Sequence, residues 1–452
     1  MRKSLLRVMS IVSLASIAAC AMIPVPSSGG LRNFDSEPVV GWWHVLPSDS
    51  SEDPEGLVGL FGWPARSAVL AVSSVYDDYL LELLDTKTGE VLESEYLSTL
   101  TPVELRSRSF HFQGAETKEG DLLLALSGSY SQLLVIGQDG FNLTSPFPML
   151  SIGDPSYRDV QFRITFDPIY SDLWDEDLVF SYARDPDSLV VLRDDLTEVW
   201  EVAYPDPDDG YVHDYRTGMV RAVYSSESLS FEYFDFSNLN SGPNLITLPI
   251  SQSGAVPNFA SELGSGYLFL GSSSSGTTNL FTVSSEGEVI DIASLAPSGG
   301  GRESVSVIGE KIFVTQEIRE QVSVKIFDAS LSTVAEIPLP GVERVYLNDW
   351  VHRSESLGKL ILETDNSFAL LDISSQEVTG FRPLSGSDAL FNAGFSNDAF
   401  LIWDSEALVS YDFQLGLNWS FSLLEGERIL RVGEDLYLVS ENRSELLQLT
   451  SD

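Results

Sequence analysis

"GEKIFVTQEIREQVSVKIFDASLSTVAEIPL", residues Gly309 to Leu339, holds three apolar runs separated by polar turns. In the middle run Val322, Val324 and Ile326 alternate with Ser323 and Lys325. A strand with one face more buried than the other requires this period of two. The stretch "ESVSVIG" just before it, from Glu303, supplies one more strand, expected to line a central channel. The same plan reappears in "GKLILETDNSFALLD", from Gly358 to Asp372. There both runs are almost wholly apolar, as suits a sheet packed on both faces.

Outward from this unit, the turn before its last strand recurs along the chain. It is found as "LLDTKTGEVLE" at Asp85, "VIGQDGFNLTS" at Gly137, "VLRDDLTEVWE" at Arg193 and "YFDFSNLNSGP" at Asp235. Further copies are "TVSSEGEVIDI" at Ser284, "IFDASLSTVAE" at Asp328, "LLDISSQEVTG" at Asp372 and "SYDFQLGLNWS" at Asp412. A period near 40 to 50 residues with about four strands per unit predicts an all-β chain folded as a β-propeller. Two separate β-sandwiches are the alternative, and even spacing is hard to obtain from them. The last segment, "RILRVGEDLYLVSENRSELLQLTSD", gives three strands and stops before a fourth. "VVGWWHVL" (Val39 to Leu46), with Trp42 and Trp43, is expected to supply it and close the ring, hiding unpaired sheet edges. Eight turns and a truncated ninth unit place the count between seven and nine blades; eight are expected, with one unit irregular, because larger rings fall outside the usual range.

The first thirty residues carry a different signal. Arg2, Lys3 and Arg7 precede an apolar stretch ending in small residues, the pattern of a secretory signal peptide too short to span a bilayer comfortably. Ile17, Ala18, Ala19 and Cys20 resemble the lipobox of bacterial lipoproteins. That resemblance implies cleavage before Cys20, a diacylglycerol thioether on its sulfur and acylation of the new amino group. Two or more acyl chains anchor stably where one does not. Cys20 is the sole cysteine, so an intrachain disulfide is impossible and packing must hold the fold. The expected organisation is a signal peptide over residues 1–19, a lipidated cysteine and Pro/Ser/Gly-rich tether over 20–38, and one propeller over 39–452. Ala21, where an aspartate often marks inner-membrane retention in such lipoproteins, favours an outer membrane in a cell with two.

The chain has 26 Lys and Arg against 67 Asp and Glu, a formal net charge of -41. Phosphate backbones and anionic lipid headgroups are repelled by such a surface, which leaves nucleic acid aside as a partner. No Gly-rich phosphate loop precedes a helix, so nucleotide binding has no support either. His44, His111, His213 and His352 lie far apart, never at metal-ligand spacing. Asp206, Asp208, Asp209 and Asp214 gather oxygen ligands around Gly210 and are the candidates for calcium. They lack the alternation of an EF-hand loop, and a solvated acidic turn is the plainer reading.

The Asp-turns, with Trp200 and Trp419 seven residues after the turn-opening position, resemble PQQ-type propeller repeats, in a WD40-like plan. The resemblance implies that the tryptophan docks on the next blade. Quinoprotein dehydrogenases with such repeats need a catalytic aspartate with calcium and, in many members, a vicinal cysteine pair that a single cysteine cannot form. Lipobox, tether and repeats together resemble the propeller lipoproteins of the outer-membrane β-barrel assembly machinery, which bind proteins without a cofactor. The expectation is therefore a lipid-anchored envelope protein that binds or scaffolds an envelope protein partner, with no cofactor and no catalytic residue singled out. Two other readings stay open. A carbohydrate-binding module would expose Trp42, Trp43, Trp174 or Trp350 on one rim; a calcium-assisted envelope hydrolase would cluster carboxylates at the channel mouth.

Overall fold

A computed structural model describes residue 34 and residues 36–450, apart from the stretches 48–55, 101–110, 145–149, 152–162, 165–179, 193–197, 204–209, 236–243, 250–254, 274–277, 296–303, 348–352 and 384–391 and gaps of one to three residues. The chain is a β-propeller built almost wholly from short antiparallel strands. Strand β1 (Val39–Val45) is followed by the first full sheet, β2 (Leu57–Trp63), β3 (Ala68–Val75), β4 (Asp78–Asp85) and β5 (Val91–Tyr96), hydrogen-bonded in chain order. The helical content among the described residues is a single turn at Leu97–Leu100 and a 3-10 turn at Pro64–Arg66, and none is long and apolar enough to cross a membrane. In sequence a brief helix is expected around Thr101 to Arg106, a stretch that falls outside the described residues.

Nine sheets are formed by the described strands, at the top of the expected range of seven to nine and one more than the eight expected. The additional sheet arises because the three C-terminal strands, Glu427–Val432, Asp435–Ser440 and Glu445–Thr450, form a full sheet with β1 as its outer member. β1 runs antiparallel to Glu445–Thr450, from Val39 opposite Thr450 to Val45 opposite Glu445, with a bulge between Val40 and Trp42. The unit that looks truncated in sequence is thus completed from the other end of the chain.

Neighbouring sheets meet through apolar faces, which is why the strands read as nearly continuous apolar runs. Trp63, Leu70, Leu81 and Leu83 of the first sheet pack with Leu122, Leu124 and Leu134 of the next. Phe313, Val324 and Ile326 pack with Leu360, Leu362 and Leu371, which joins the two stretches that opened the sequence reading. Trp42, Tyr437, Val439 and Leu446 of the last sheet pack with Leu57, Leu60 and Ala71 of the first. First strands also touch first strands: Glu427–Val432 packs on β2, and β2 on His111–Glu116. Each fully buried Leu, Val or Phe in these faces contributes on the order of 1.5–3 kcal/mol relative to exposure, and without disulfides this is the main stabilising term.

Self-similarity is stronger in the backbone than in the residues. At the turn before the outer strand, the ladder slips by one residue between Leu83 and Leu84, Val191 and Leu192, Thr282 and Val283, Ile326 and Phe327, and Ser410 and Tyr411. Such a bulge adds twist and bends the outer strand. The repeat seen in sequence is the trace of this recurring turn.

Candidate functional site

The turn-opening aspartates do structural work. Asp85 Oδ1 accepts from the backbone N–H groups of Lys87 (2.8 Å) and Thr88 (2.9 Å). Asp328 Oδ1 accepts from Ser330 N (2.9 Å) and Ser332 N (3.0 Å), and Asp372 Oδ1 from Ser374 N and Ser375 N (both 2.9 Å). Asp412 Oδ1 accepts from Gln414 N (2.9 Å) and Gly416 N (2.7 Å). A carboxylate that accepts two backbone donors closes the turn itself. The turn accounts for each aspartate without a cation.

The same bonds favour the ionised form. Backbone donation from Lys87 and Thr88 lowers the Asp85 pKa; the Ser330 hydroxyl, then Ser332 N–H, lowers that of Asp328. Asp372 is held furthest below the ordinary aspartate range, chiefly by the hydrogen bond from Lys359 Nζ and then by Ser374. Each group's folded pKa is depressed, so its stabilising contribution is present above the unfolded pKa and is lost as pH falls through the folded value. The denaturation midpoint is therefore expected to fall between about pH 5 and about pH 2, and Asp372→Asn should lower it at neutral pH while flattening that fall. Urea titrations of both proteins at several pH values check this. Parallel pH curves would show that Asp372 is not one of the groups responsible.

The other candidates distribute as follows. Ile17, Ala18, Ala19 and Cys20 lie outside the described residues, as do Asp206, Asp208, Asp209, Trp174, Trp350 and His352. Asp214 and His213 lie on the strand Gly210–Tyr215, and His111 begins the strand His111–Glu116. Among the described residues no group of three or more His, Cys, Asp or Glu is placed to hold a metal ion.

The structure does bring residues together at β1. Trp42 faces the first sheet and is only 6% exposed; its Nε1–H donates to the Thr86 carbonyl (3.0 Å), and its ring lies 5.8 Å from Tyr437. His44, two residues on and on the same face, has its Nε2 3.1 Å from Glu82 Oε2 of β4. Leu46 N donates to the Ser444 carbonyl and ends the strand. Phe34, inside the stretch read as tether, is buried against Trp419, whose Nε1–H donates to the Phe34 carbonyl (3.0 Å). Sequence reasoning missed Phe34 and the His44–Glu82 contact. A lone aromatic in a Pro/Ser/Gly-rich stretch was the available signal for the first; the second joins positions 38 apart and has no local signature.

The opposite face of β1 is bare. Val40 (47% exposed), Trp43 (61%) and Val45 (54%) stand opposite Leu449, Leu447 and Glu445. Leu447 and Leu449 belong to the apolar layer shared with the sheet that ends in the outer strand Leu417–Ser422, so the bare face turns toward that strand. Leu417, on it, is exposed as well. The two adjacent tryptophans therefore differ in role: Trp42 packs, and Trp43 is open to solvent.

No protein-family model matches the sequence. No curated protein matches it at a significant level either. Solved structures resemble it in shape at low identity. A eukaryotic initiation factor superposes with a TM-score of 0.50 at 10% identity, over 83% of this chain and 90% of that one. BamB from Moraxella catarrhalis gives 0.41 at 12% identity, over 75% of this chain and 96% of its own. The Dos1 propeller gives 0.45 at 9% identity, over 91% and 95%. At such identities the likeness is one of fold, and the fold is the β-propeller.

Proposed function

We propose that this chain is a lipid-anchored binding or scaffold protein of the cell envelope whose partner is another envelope protein. The lipobox ending at Cys20 supports the anchor. One observation carries the binding role: β1 lays Val40, Trp43 and Val45 open along one outer strand of an otherwise acidic molecule. Large exposed apolar side chains gathered in one place mark interaction surfaces, whereas single ones are ordinary. A second reading, a glycan-binding module without catalysis, draws on the open Trp43 ring, since exposed tryptophans can stack on sugars. It is the weaker of the two, because the flanking valines suit a peptide better than a polyol.

Crosslinking in intact cells, followed by mass spectrometry, tests the proposal. The native chain is expected to bring down a defined set of envelope proteins, and Cys20→Ser to lose them. If no protein is recovered with the native chain, the scaffold reading fails and the glycan module takes its place.

A further inference from the structure

A sheet whose outer strand is unpaired offers a row of free N–H and C=O groups to any passing strand, and proteins guard such edges with charge, proline or brevity. Most outer strands here are guarded. β5 carries Glu93 and Glu95; Glu198–Ala203 carries Glu198 and Glu201; Val289–Ser294 carries Asp291; Thr333–Leu339 carries Glu336 and Pro338; Asn244–Pro249 ends in proline. The outer pieces Leu143–Thr144, Leu150–Ser151, Glu377–Val378 and Arg382–Pro383 are two residues long. Among the described outer strands two carry no Asp, Glu, Lys, Arg or proline: β1, "VVGWWHV", whose His44 faces inward to Glu82, and Leu417–Ser422, "LNWSFS". These two belong to neighbouring sheets and are linked by Phe34 and Trp419.

We propose that the free edge of β1 is a docking strand for an extended, basic segment of a partner protein, which would add to the C-terminal sheet beyond β1. This names the surface and the chemistry of the partner in the scaffold reading above and rests on it. Three considerations select the occupant. No described strand pairs with the outer side of β1, and backbone groups there are best satisfied by another strand. A lipid surface offers them nothing. The surroundings are acidic: Glu37 precedes the strand and Glu445 lies opposite Val45. A net charge of -41 opposes a second copy of this chain and favours a partner rich in Lys and Arg. Alternate side chains of that segment would lie beside Val40, Trp43 and Val45, so an apolar residue at every second position is expected.

The test uses the full chain in detergent with two capped nine-residue peptides, one alternating Val and Lys and one alternating Val and Glu. The Val/Lys peptide is expected to slow hydrogen exchange of alternate β1 amides by about tenfold or more, and the Val/Glu peptide to leave them unchanged. Trp43→Lys with Val45→Lys should weaken the Val/Lys peptide by more than about tenfold with an unchanged denaturation midpoint, because both side chains are exposed. Leu245→Lys, on the guarded strand Asn244–Pro249, should leave peptide binding as it was. Equal slowing on every outer strand, or none, overturns the proposal. So does finding the alternate β1 amides already slow in the free chain, covered by its own residues in a monomer or by a second copy in a dimer. In cells the two readings separate: if the Lys variant still recovers the native partners, the edge assignment is wrong and the scaffold stands. If the native chain recovers none, the scaffold itself is wrong.

Discussion

Trp42→Ala is expected to lower the unfolding free energy by about 3–5 kcal/mol, while Trp43→Ala, one residue away, changes it by less than about 0.5 kcal/mol. The contrast follows from burial alone. Trp42 is enclosed by Tyr437, Leu446 and the turn at Thr86, and its removal empties a volume that the short outer strand cannot collapse to fill. The indole hydrogen bond adds little, because Thr86 lies in a surface turn where water can replace the donor. Trp43 leaves no cavity. Loss at Trp42 also loosens the one strand that joins the N-terminal end of the described chain to the last sheet, so β1 amides should exchange faster in Trp42→Ala than in Trp43→Ala. Urea denaturation of both variants, with exchange on the same samples, measures the two effects together. Equal stability losses would mean that β1 holds through its backbone ladder and not through this side chain.

Much of this fold was legible because its strands bury both faces. "LILE" and "FALLD" are buried almost throughout, as their composition requires. The missing fourth strand could be read from the C-terminal unit because a three-stranded remainder leaves an edge that something must cover, and only "VVGWWHV" lay unassigned. The sheet count was harder. It turns on whether the completed last unit stands as its own sheet, and completion joins residues some 400 positions apart by a contact that no local pattern records. The acidic turns were legible only as a repeat: that each opening aspartate closes its own turn, by accepting the backbone N–H two residues onward, is a contact the spacing does not spell out, and the calcium candidates Asp206, Asp208 and Asp209 lie outside the described residues. The exposed face of β1 was only half legible. Trp42 and Trp43 were both candidates for an open rim, and only the register with Glu445–Thr450 shows which face each one takes.

Gly89→Ala is expected to cost about 2–4 kcal/mol, and about half of that, the clash with the indole, should vanish when Trp42 is already alanine. Gly89 sits in the turn opened by Asp85 with φ of 70°, in the left-handed region that a side chain disfavours by about 1–2 kcal/mol. That backbone cost is tolerated elsewhere in the molecule. Gln376 holds φ of 59° four residues after Asp372, as Gly89 stands after Asp85, and in the shorter turns Leu331 and Leu415 hold 56° and 63° three residues after Asp328 and Asp412. Leu331 and Leu415 offset the strain by burying their side chains between sheets. At Gly89 the equivalent space is filled from outside: a Cβ there would lie 2.5 Å from Trp42 Cε3 and 2.6 Å from Cδ2. The indole is no flexible tip, being fixed by Thr86 and Tyr437, so it cannot step aside cheaply. Glycine and tryptophan therefore act as one unit, with the ring of the last sheet taking the place that leucine takes in other turns. A double-mutant cycle should show a coupling of about 1–3 kcal/mol between them. Were Gly89→Ala to cost the same in both backgrounds, backbone strain alone would explain the glycine, and the seam between β1 and the first sheet would owe nothing to it.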